Sequence, residues 1–432
     1  MNTTVPPSVP VAPEAPAISA RTVAAAIAIG AAAMFLLCGY EFVRSTSTSL
    51  YVEAYGANRL AIVMAVVPFG TLAILYIYGC VLSWVGPRRA LFITSLLCGL
   101  GIAACYAAIR AGSHLATGVL YVLREAYIVL LVEQYWSFIN STLRTGEARW
   151  LNGPICGIAS LGAISGGFLV GALAQRVGSQ QLLLFAAASL VPAGLLAALA
   201  FHLGGEPQSA GPEPKTRKDP LALRLFFQNR ILLLLLFLIV CTQAVSTVLD
   251  LRFNAILESA KPITDERTAF SGNFFGVLNI AAFFMQFVAT PLLLRFCSLR
   301  HVHTAIPLVH IGACALLVAH PSLLTSGLAF LLFKTLDYSL FRAGKEVLYI
   351  PLSFDARYRA KQVIDSFGYR ASKGATSGLL AGAGKVFGTL PGITYPLVAI
   401  FSSSAWLFLV RRITRPEAAG AQVPLKISEC ET

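Results

Sequence analysis

Polar and apolar positions along this chain alternate on the scale of whole helices, not of single residues. Runs such as ILLLLLFLIVC (231–241) and LLLFAAASLVPAGLLAALAF (182–201) contain no charged side chain. About 20 continuous apolar residues are enough to cross a bilayer as a helix. In lipid only helices and closed barrels satisfy every backbone polar group. Barrel strands would alternate polar and apolar positions over about ten residues, and these runs do not. The apolar windows predict about twelve helices, near 22–44, 60–83, 90–110, 115–140, 151–175, 181–203, 231–256, 269–295, 302–320, 322–350, 362–386 and 390–410. The expected fold class is all-α integral membrane.

One long polar interruption breaks the series, GGEPQSAGPEPKTRKDPLALRLFFQNR at 204–230. It divides the chain into a six-helix bundle over 21–203 and a second over 231–412, with the linker between them. Six plus six helices about a basic central loop is the layout of the major facilitator architecture, in which helices 1, 4, 7 and 10 line a central cavity. The first 20 residues are rich in Pro and Ala and hold no Lys or Arg. They lack the basic region of a signal peptide and the Arg of a transit peptide, and read as a disordered tail. Residues 413–432 read as a second tail.

Charge fixes an expected orientation. The chain is 56% hydrophobic and 12% charged with a net charge of +13, a mean hydropathy of +0.72 and a pI near 9.5. Arg88, Arg89, Arg144, Arg149, Lys215, Arg217 and Lys218 fall in alternate loops. So do Arg295, Arg300, Arg357, Arg359, Lys361, Arg411, Arg412 and Arg415. Under the positive-inside rule those loops are cytoplasmic, with both termini inside a cell inner (cytoplasmic) membrane. The same distribution removes nucleic acid as a partner, because no basic surface domain exists to carry it. Between helices two and three, GCVLSWVGPRR (79–89) resembles the major-facilitator loop pattern, with Ser83 in place of its Asp.

Nine cysteines form neither a CxxC pair nor a Cys/His cluster. Neither a structural disulfide nor a metal site is expected, and no cofactor is implied. His301 and His303 read as residues of a short solvated loop. SKGATSG (372–378) lacks the spacing of a phosphate-binding loop. No triad, HExxH or paired-carboxylate constellation points to an enzyme.

The charges inside the spans are the candidate chemistry. A charge at the bilayer centre costs roughly 2.5–3.5 kcal/mol even on the lenient insertion scale, so such residues face the bundle interior. Helix 1 ends with Glu41 and Arg44, helix 4 carries Arg124, Glu125 and Glu133, and helix 7 carries Asp250 and Arg252. Helix 10 carries Lys334, Asp337, Arg342, Lys345 and Glu346; helix 11 carries Asp365, Arg370 and Lys373. At about 1.5 Å per residue, Arg124, Lys334, Arg370 and Lys373 reach the midplane against Glu125 and Asp337. Internal pairs Lys334–Asp337 and Arg342–Glu346 are expected at helical spacing. That leaves Lys345, Arg370 and Lys373 for an anionic substrate or for a gate to Glu125, Glu133 or Asp250. Tyr349 or Tyr338 could stack on a base. Helix 5 (Gly157, Gly162, Gly166, Gly167, Gly171) and helix 11 (Gly374, Gly378, Gly382) carry small-residue faces that permit close packing.

Lys345-Glu346-Val347-Leu348-Tyr349-Ile350-Pro351-Leu352, then Ala360-Lys361-Gln362-Val363-Ile364-Asp365 and Ser372-Lys373-Gly374-Ala375, carry a family resemblance. In order and spacing they resemble the K-E-M-A-Y-I-P-L, G-K-A-A-I-D and G-K-S-G-G motifs of the ATP/ADP translocases of plastids and obligate intracellular bacteria. Trp136-Ser137-Phe138-Ile139-Asn140 and Glu147-Ala148-Arg149 are similar to that family's W-G-F-A-N and E-A-K. Glu266, Phe270, Gly272 and Phe274 fall on its E-Y-S-S-F-M-G-D-F. After helix 1, where the family reads R-D-T-K-D, this chain reads Arg44-Ser45-Thr46-Ser47-Thr48. The acidic position of helix 7 falls at Val248, with Asp250 nearby. The resemblance implies a major-facilitator-type nucleotide antiporter that acts as a monomer. Lys334, Lys345, Tyr349, Arg370, Lys373 and Arg124 would bind substrate. Glu41, Arg44, Glu125, Glu133, Asp250, Asp337 and Glu346 would gate or carry protons. The other readings are a carrier of another organic anion, proton-coupled or not, and a membrane partner or sensor that transports nothing.

Overall fold

Helices account for nearly all of the described residues, and their order follows the apolar windows. The computed structural model describes residues 18–143, 145–205, 230–349, 361 and 363–414. The first half contains α1 (Ala20–Tyr55), α2 (Ala57–Gly86), α3 (Arg89–Arg110), α4 (His114–Thr142), α5 (Thr145–Val177) and α6 (Leu182–Gly204). The second contains α7 (Arg230–Ala260), α8 (Thr264–Phe296), α9 (Leu299–Ala319), α10 (Leu323–Tyr349), α11 (Tyr369–Phe387) and α12 (Thr394–Ile413). Eleven of these are long and apolar enough to span a membrane. The remaining one, α11, is diluted by Gly, Ser and the charges at 370 and 373, and is preceded by a π-helical turn at Val363–Gly368. The fold is all-α and of the major-facilitator type, in two six-helix halves. Most of both tails, of the central linker and of the loop before α11 lies outside the described residues.

Local chemistry sets the ends and bends. Ser19 caps α1 by accepting from the Thr22 amide, and Ser322 forms a reciprocal capping box with Thr325 at the start of α10. The break between α2 and α3 falls on Gly86, whose φ of +74° puts a non-glycine residue under strain. His301 and His303 lie in the first turns of α9, not in a loop. His303 is fully buried against Phe341 and the Gly344 backbone. The helix α9 begins at Leu299, so His303 lies past its first turn, on the face that packs on the second core.

Each half has its own core. The first gathers Leu36, Phe42, Tyr127, Phe138 and Phe201; the second stacks Phe253, Phe274 and Phe330 and closes on Phe341 and Trp406. Lipid tails are as apolar as leucine, so close packing rather than burial from water decides how helices meet. The helix 5 glycines therefore serve two different neighbours. Cβ atoms on Gly162 and Gly166 would strike the α1 backbone at Met34 and Cys38. On Gly167 one would fall 2.5 Å from the Gly276 nitrogen of α8, while at Gly157 there is open space. The α5–α8 crossing is thus a backbone-to-backbone contact between the halves.

The halves also seal together at the end where α1 meets α2. Tyr51, Val52, Leu60, Met64 and Tyr121 pack with Leu251, Ala255, Leu380 and Tyr395 in one apolar cluster. Polar clips surround it. Ala57 donates its amide to Glu258 at 3.0 Å, and the Ser179 amide and hydroxyl both donate to Asp265 Oδ1, at 2.7 and 2.6 Å. Arg267 donates to the Ser49 carbonyl at 3.1 Å. At the opposite end, which carries the basic loops, the seam holds a cavity.

Candidate functional site

Two adjacent spaces lie between the halves. The larger, about 440 Å³, is bounded by α2, α4, α7, α10 and α11 and extends from Lys334 toward Glu346 near the basic-loop end. The smaller, about 80 Å³, lies deeper, between α1, α4, α7, α8 and α10. Glu125, Lys334, Tyr338 and Lys373 border both and form the partition between them.

The partition is an ion-pair network across the seam. Lys373 Nζ of α11 lies 3.4 Å from Glu125 Oε2, and Arg124 Nη2 lies 3.3 Å from Glu125 Oε1. Arg124 does not project freely at a ligand. Its Nη1 donates to the Arg44 carbonyl at 2.6 Å, to Ser47 Oγ at 2.9 Å and to Thr48 Oγ1 at 2.6 Å, and its guanidinium lies 3.9 Å from the centre of the Tyr121 ring. It clamps α4 onto α1 while also lining the smaller space. The hydroxyl-rich Ser45–Thr48 stretch supplies the acceptors.

Arg44 lines the smaller space. It pairs with Glu41 at 3.4 Å and lies 3.6 Å from the centre of the Phe275 ring. Glu41 Oε1 also accepts from Asn279 of α8 at 3.0 Å; its Oε2 is buried without a partner among the described residues. Glu41 lines neither space. Asp250 does line the smaller one, where its carboxylate accepts from Asn254 at 2.9 Å.

The pairings expected within α10 do not form. Lys334 Nζ donates to Ser246 Oγ of α7 at 2.9 Å and lies over the Phe330, Phe333 and Tyr338 rings. Asp337 is buried with Oδ1 unpartnered. Competing partners supply the physical reason for both: the Ser246 hydroxyl of α7 takes the Lys334 ammonium, and Lys361 takes the Glu346 carboxylate. Glu346 pairs with Lys361 across the return of the chain instead of with Arg342. Lys345, expected to await an anion, pairs with Asp365 at 2.5 Å. Tyr349, expected to stack on a base, is buried in the second core beneath the Lys345 and Lys361 ammonium groups, outside both spaces. Tyr338 is the tyrosine of that pair that faces the cavity.

The larger space is lined by side chains of both signs. Lys334, Arg342, Lys345, Arg370 and Lys373 face Glu125, Glu133, Asp337, Glu346 and Asp365. Lys334 and Arg342 have no carboxylate partner among the described residues. Sequence reasoning missed Ser246 and Gln243 of α7, Asn254, and Asp365 as the partner of Lys345. A polar residue one turn from a buried charge, as Ser246 and Asn254 are from Asp250 on α7, is the signal that could have found two of them.

Known proteins resemble the chain in sequence and in fold. The family model described as TLC ATP/ADP transporter matches residues 311–416, which include α10 and α11 and their charges. The chain is 19% identical over 361 residues to ADP,ATP carrier protein 3 of Rickettsia felis, covering 71% of each. It is 24% identical over 344 residues to ADP,ATP carrier protein 1 of Chlamydia trachomatis, covering 69% of this chain and 64% of that one. Among solved structures, a bacterial homologue of the iron transporter ferroportin in an inward-facing state superposes with a TM-score of 0.65 at 14% identity, over 92% of this chain and 100% of that one. The nucleoside transporter NupG superposes with a TM-score of 0.62 at 14% identity, over 91% and 98%. These structures share the fold; the sequence matches go further. The chain is thus similar in sequence to ATP/ADP carriers, over residues 311–416 by the family model and over about two thirds of its length by the relatives.

Proposed function

We propose that this protein carries nucleotides across a cell inner membrane by alternating access, as a monomer with both termini in the cytoplasm. The observation that carries the reading is the central space of about 440 Å³ at the seam, furnished with cations from α10 and α11 and sealed at the far end. With the basic loops cytoplasmic, the described state faces inward. Lys334, Lys345, Arg370 and Lys373 meet substrate phosphate, and Tyr338 offers a ring to the base. ATP/ADP-type exchange is the form of transport that the relatives' names suggest.

Glu125 and Lys373 act as a gate pair, since they join the halves at the partition and must part when the far end opens. Lys345–Asp365 and Lys361–Glu346 hold the mouth. Asp337 and Glu41 each have a buried carboxylate oxygen without a partner, which favours a second reading in which transport of an organic anion is coupled to a proton. Counterflow in proteoliposomes separates the two. Labelled ATP, ADP and the other nucleotides should exchange against internal nucleotide without an imposed proton gradient. Failure of every nucleotide to counter-exchange overturns the first reading.

A further inference from the structure

We infer that the smaller space is a binding site for one small monovalent inorganic anion, chloride being the representative, held between cations of the two halves. The inference does not depend on which organic substrate occupies the larger space. Four cations line the smaller space, Arg44 and Arg124 from the first half and Lys334 and Lys373 from the second, against the carboxylates Glu125 and Asp250. Glu41, paired with Arg44 at 3.4 Å, adds a third carboxylate behind the wall. Four against three leaves one positive charge. The other carboxylates of the seam, Glu133, Asp337, Glu346 and Asp365, line the larger space, where Arg342, Lys345 and Arg370 face them. Donors are in excess as well. Each ammonium carries three N–H groups, and among the described residues Lys334 gives one to Ser246 and Lys373 one to Glu125. The buried Ser45 hydroxyl and Arg124 Nε, on two of the lining residues, have no partner among the described residues.

Uncompensated charge in a low-dielectric space is costly, and cations on opposite walls repel across the seam. An anion between them removes both penalties and bridges the halves. The rings of Phe253, Phe275 and Phe330 complete the wall, and aromatic edges are electropositive enough to accept an anion as neighbour. Size and charge together set the class. About 10–15 Å³ of cavity is enough for one water, so the roughly 80 Å³ here holds a hydrated halide and is too small for a nucleotide. A phosphate monoester brings about −1.5 to −2 at neutral pH and overshoots the single charge left over. Its nucleoside would also have to thread past the Glu125–Lys373 pair of the partition.

The test uses the full-length purified protein in detergent at constant ionic strength, with sodium chloride exchanged for sodium gluconate. Chloride should raise the melting temperature saturably, by roughly 2 °C at tenfold excess over its half-saturating concentration. Equilibrium dialysis with radioactive chloride should give one ion per chain. Bromide should act like chloride, and sulfate and phosphate like gluconate. Lys334→Gln removes the surplus charge and should weaken chloride binding at least about tenfold, whereas Asp250→Asn adds to it and should tighten binding at least about threefold. Arg342→Gln, at a residue that lines only the larger space, should leave chloride affinity unchanged. Equal melting in chloride and gluconate overturns the inference. Stabilisation by sulfate or phosphate equal to that by chloride also overturns it, and gives the space to a phosphoryl group instead. A chloride effect unchanged in both Lys334→Gln and Asp250→Asn overturns the assignment to this space; if Lys334→Gln yields no folded protein, Asp250→Asn alone decides. Nucleotide counterflow is measured separately, so its failure leaves the chloride result standing.

Discussion

Removing Lys373 should loosen the seam by a predictable amount. Its Nζ lies 3.4 Å from Glu125, and both side chains are 21% exposed. Breaking a fully buried pair by removing one partner costs about 3–5 kcal/mol, whereas exposed pairs are worth about 0–1 kcal/mol. Partial burial places Lys373→Gln between these limits, and Glu125 keeps Arg124 at 3.3 Å, so it is not stranded. A loss of about 1–2 kcal/mol follows. Glu125→Gln should cost more, about 2–3 kcal/mol, because it leaves two cations, Lys373 and Arg124, facing each other without their shared carboxylate. The double variant should fall short of the sum by about 1 kcal/mol, the coupling of the pair.

Two measurements read this. Melting of the purified protein should drop on the order of 1–2 °C per kcal/mol for a chain of this size, with the cycle built from the two single variants and the double. Hydrogen exchange should also quicken in the seal around Val52–Ala61, since the pair joins halves that separate when that end opens. A weakening of about 1.4 kcal/mol multiplies the population of the opened state about tenfold. Single-variant effects that add within about 0.3 kcal/mol, with exchange in the seal unchanged, would refute the idea of a gate.

Other substitutions test neighbouring parts of the architecture. Gly272→Ala places a methyl 2.6 Å from Val170 Cγ1 and 2.7 Å from the Gly171 nitrogen; it should lower stability by about 1–3 kcal/mol through overpacking, read by melting. Gly157→Ala meets nothing within 4 Å and should be neutral or stabilising by up to about 1 kcal/mol from helix propensity, so equal loss at both sites would overturn the two-neighbour reading of α5. Arg124→Lys cannot serve the Arg44 carbonyl, Ser47, Thr48 and Glu125 together; a melting loss equivalent to about 1.5–3 kcal/mol is expected. Asp265→Asn removes the charge that accepts from both the Ser179 amide and hydroxyl and should speed exchange at the 178–182 turn without altering exchange at the basic-loop mouth.

The fold was legible because lipid imposes a simple rule, and the rule acts on composition. Every apolar window became a helix, including α11, whose glycines and charges keep it below the apolarity of its neighbours. The location of the site was legible for the same reason, since charge is expensive in a span and collects on the helices facing the seam. Pairing was not legible. Lys334 and Asp337 have the helical spacing of partners, yet Lys334 turns to the Ser246 hydroxyl of α7, a neighbour that spacing along one helix does not reveal. Lys345 finds Asp365 and Lys373 finds Glu125 through tertiary placement, at separations of 20 and 248 residues. The glycine stripe of α5 likewise looked like one face, yet its members at 162 and 166 serve α1 while those at 167 and 171 serve α8.

Those pairings bear on how such a seam can move at all. A carrier must hold two arrangements within a few kcal/mol of each other, and a seam closed by tightly buried, fully desolvated pairs would trap one of them. Here the pair at the partition is half-wet, and its carboxylate has a second cation in Arg124 on its own helix. When Lys373 departs with the second half, Glu125 is therefore not left orphaned in the first. The strongest hydrogen-bonded clamp, Arg124 onto Ser47 and Thr48, lies within one half and need not break. The glycine crossing of α5 on α8 brings the two backbones together at Gly167 and Gly276, a close approach that suits a pivot. Rigid contacts thus lie inside the halves and replaceable ones between them, the division of labour that rocking about a central site requires.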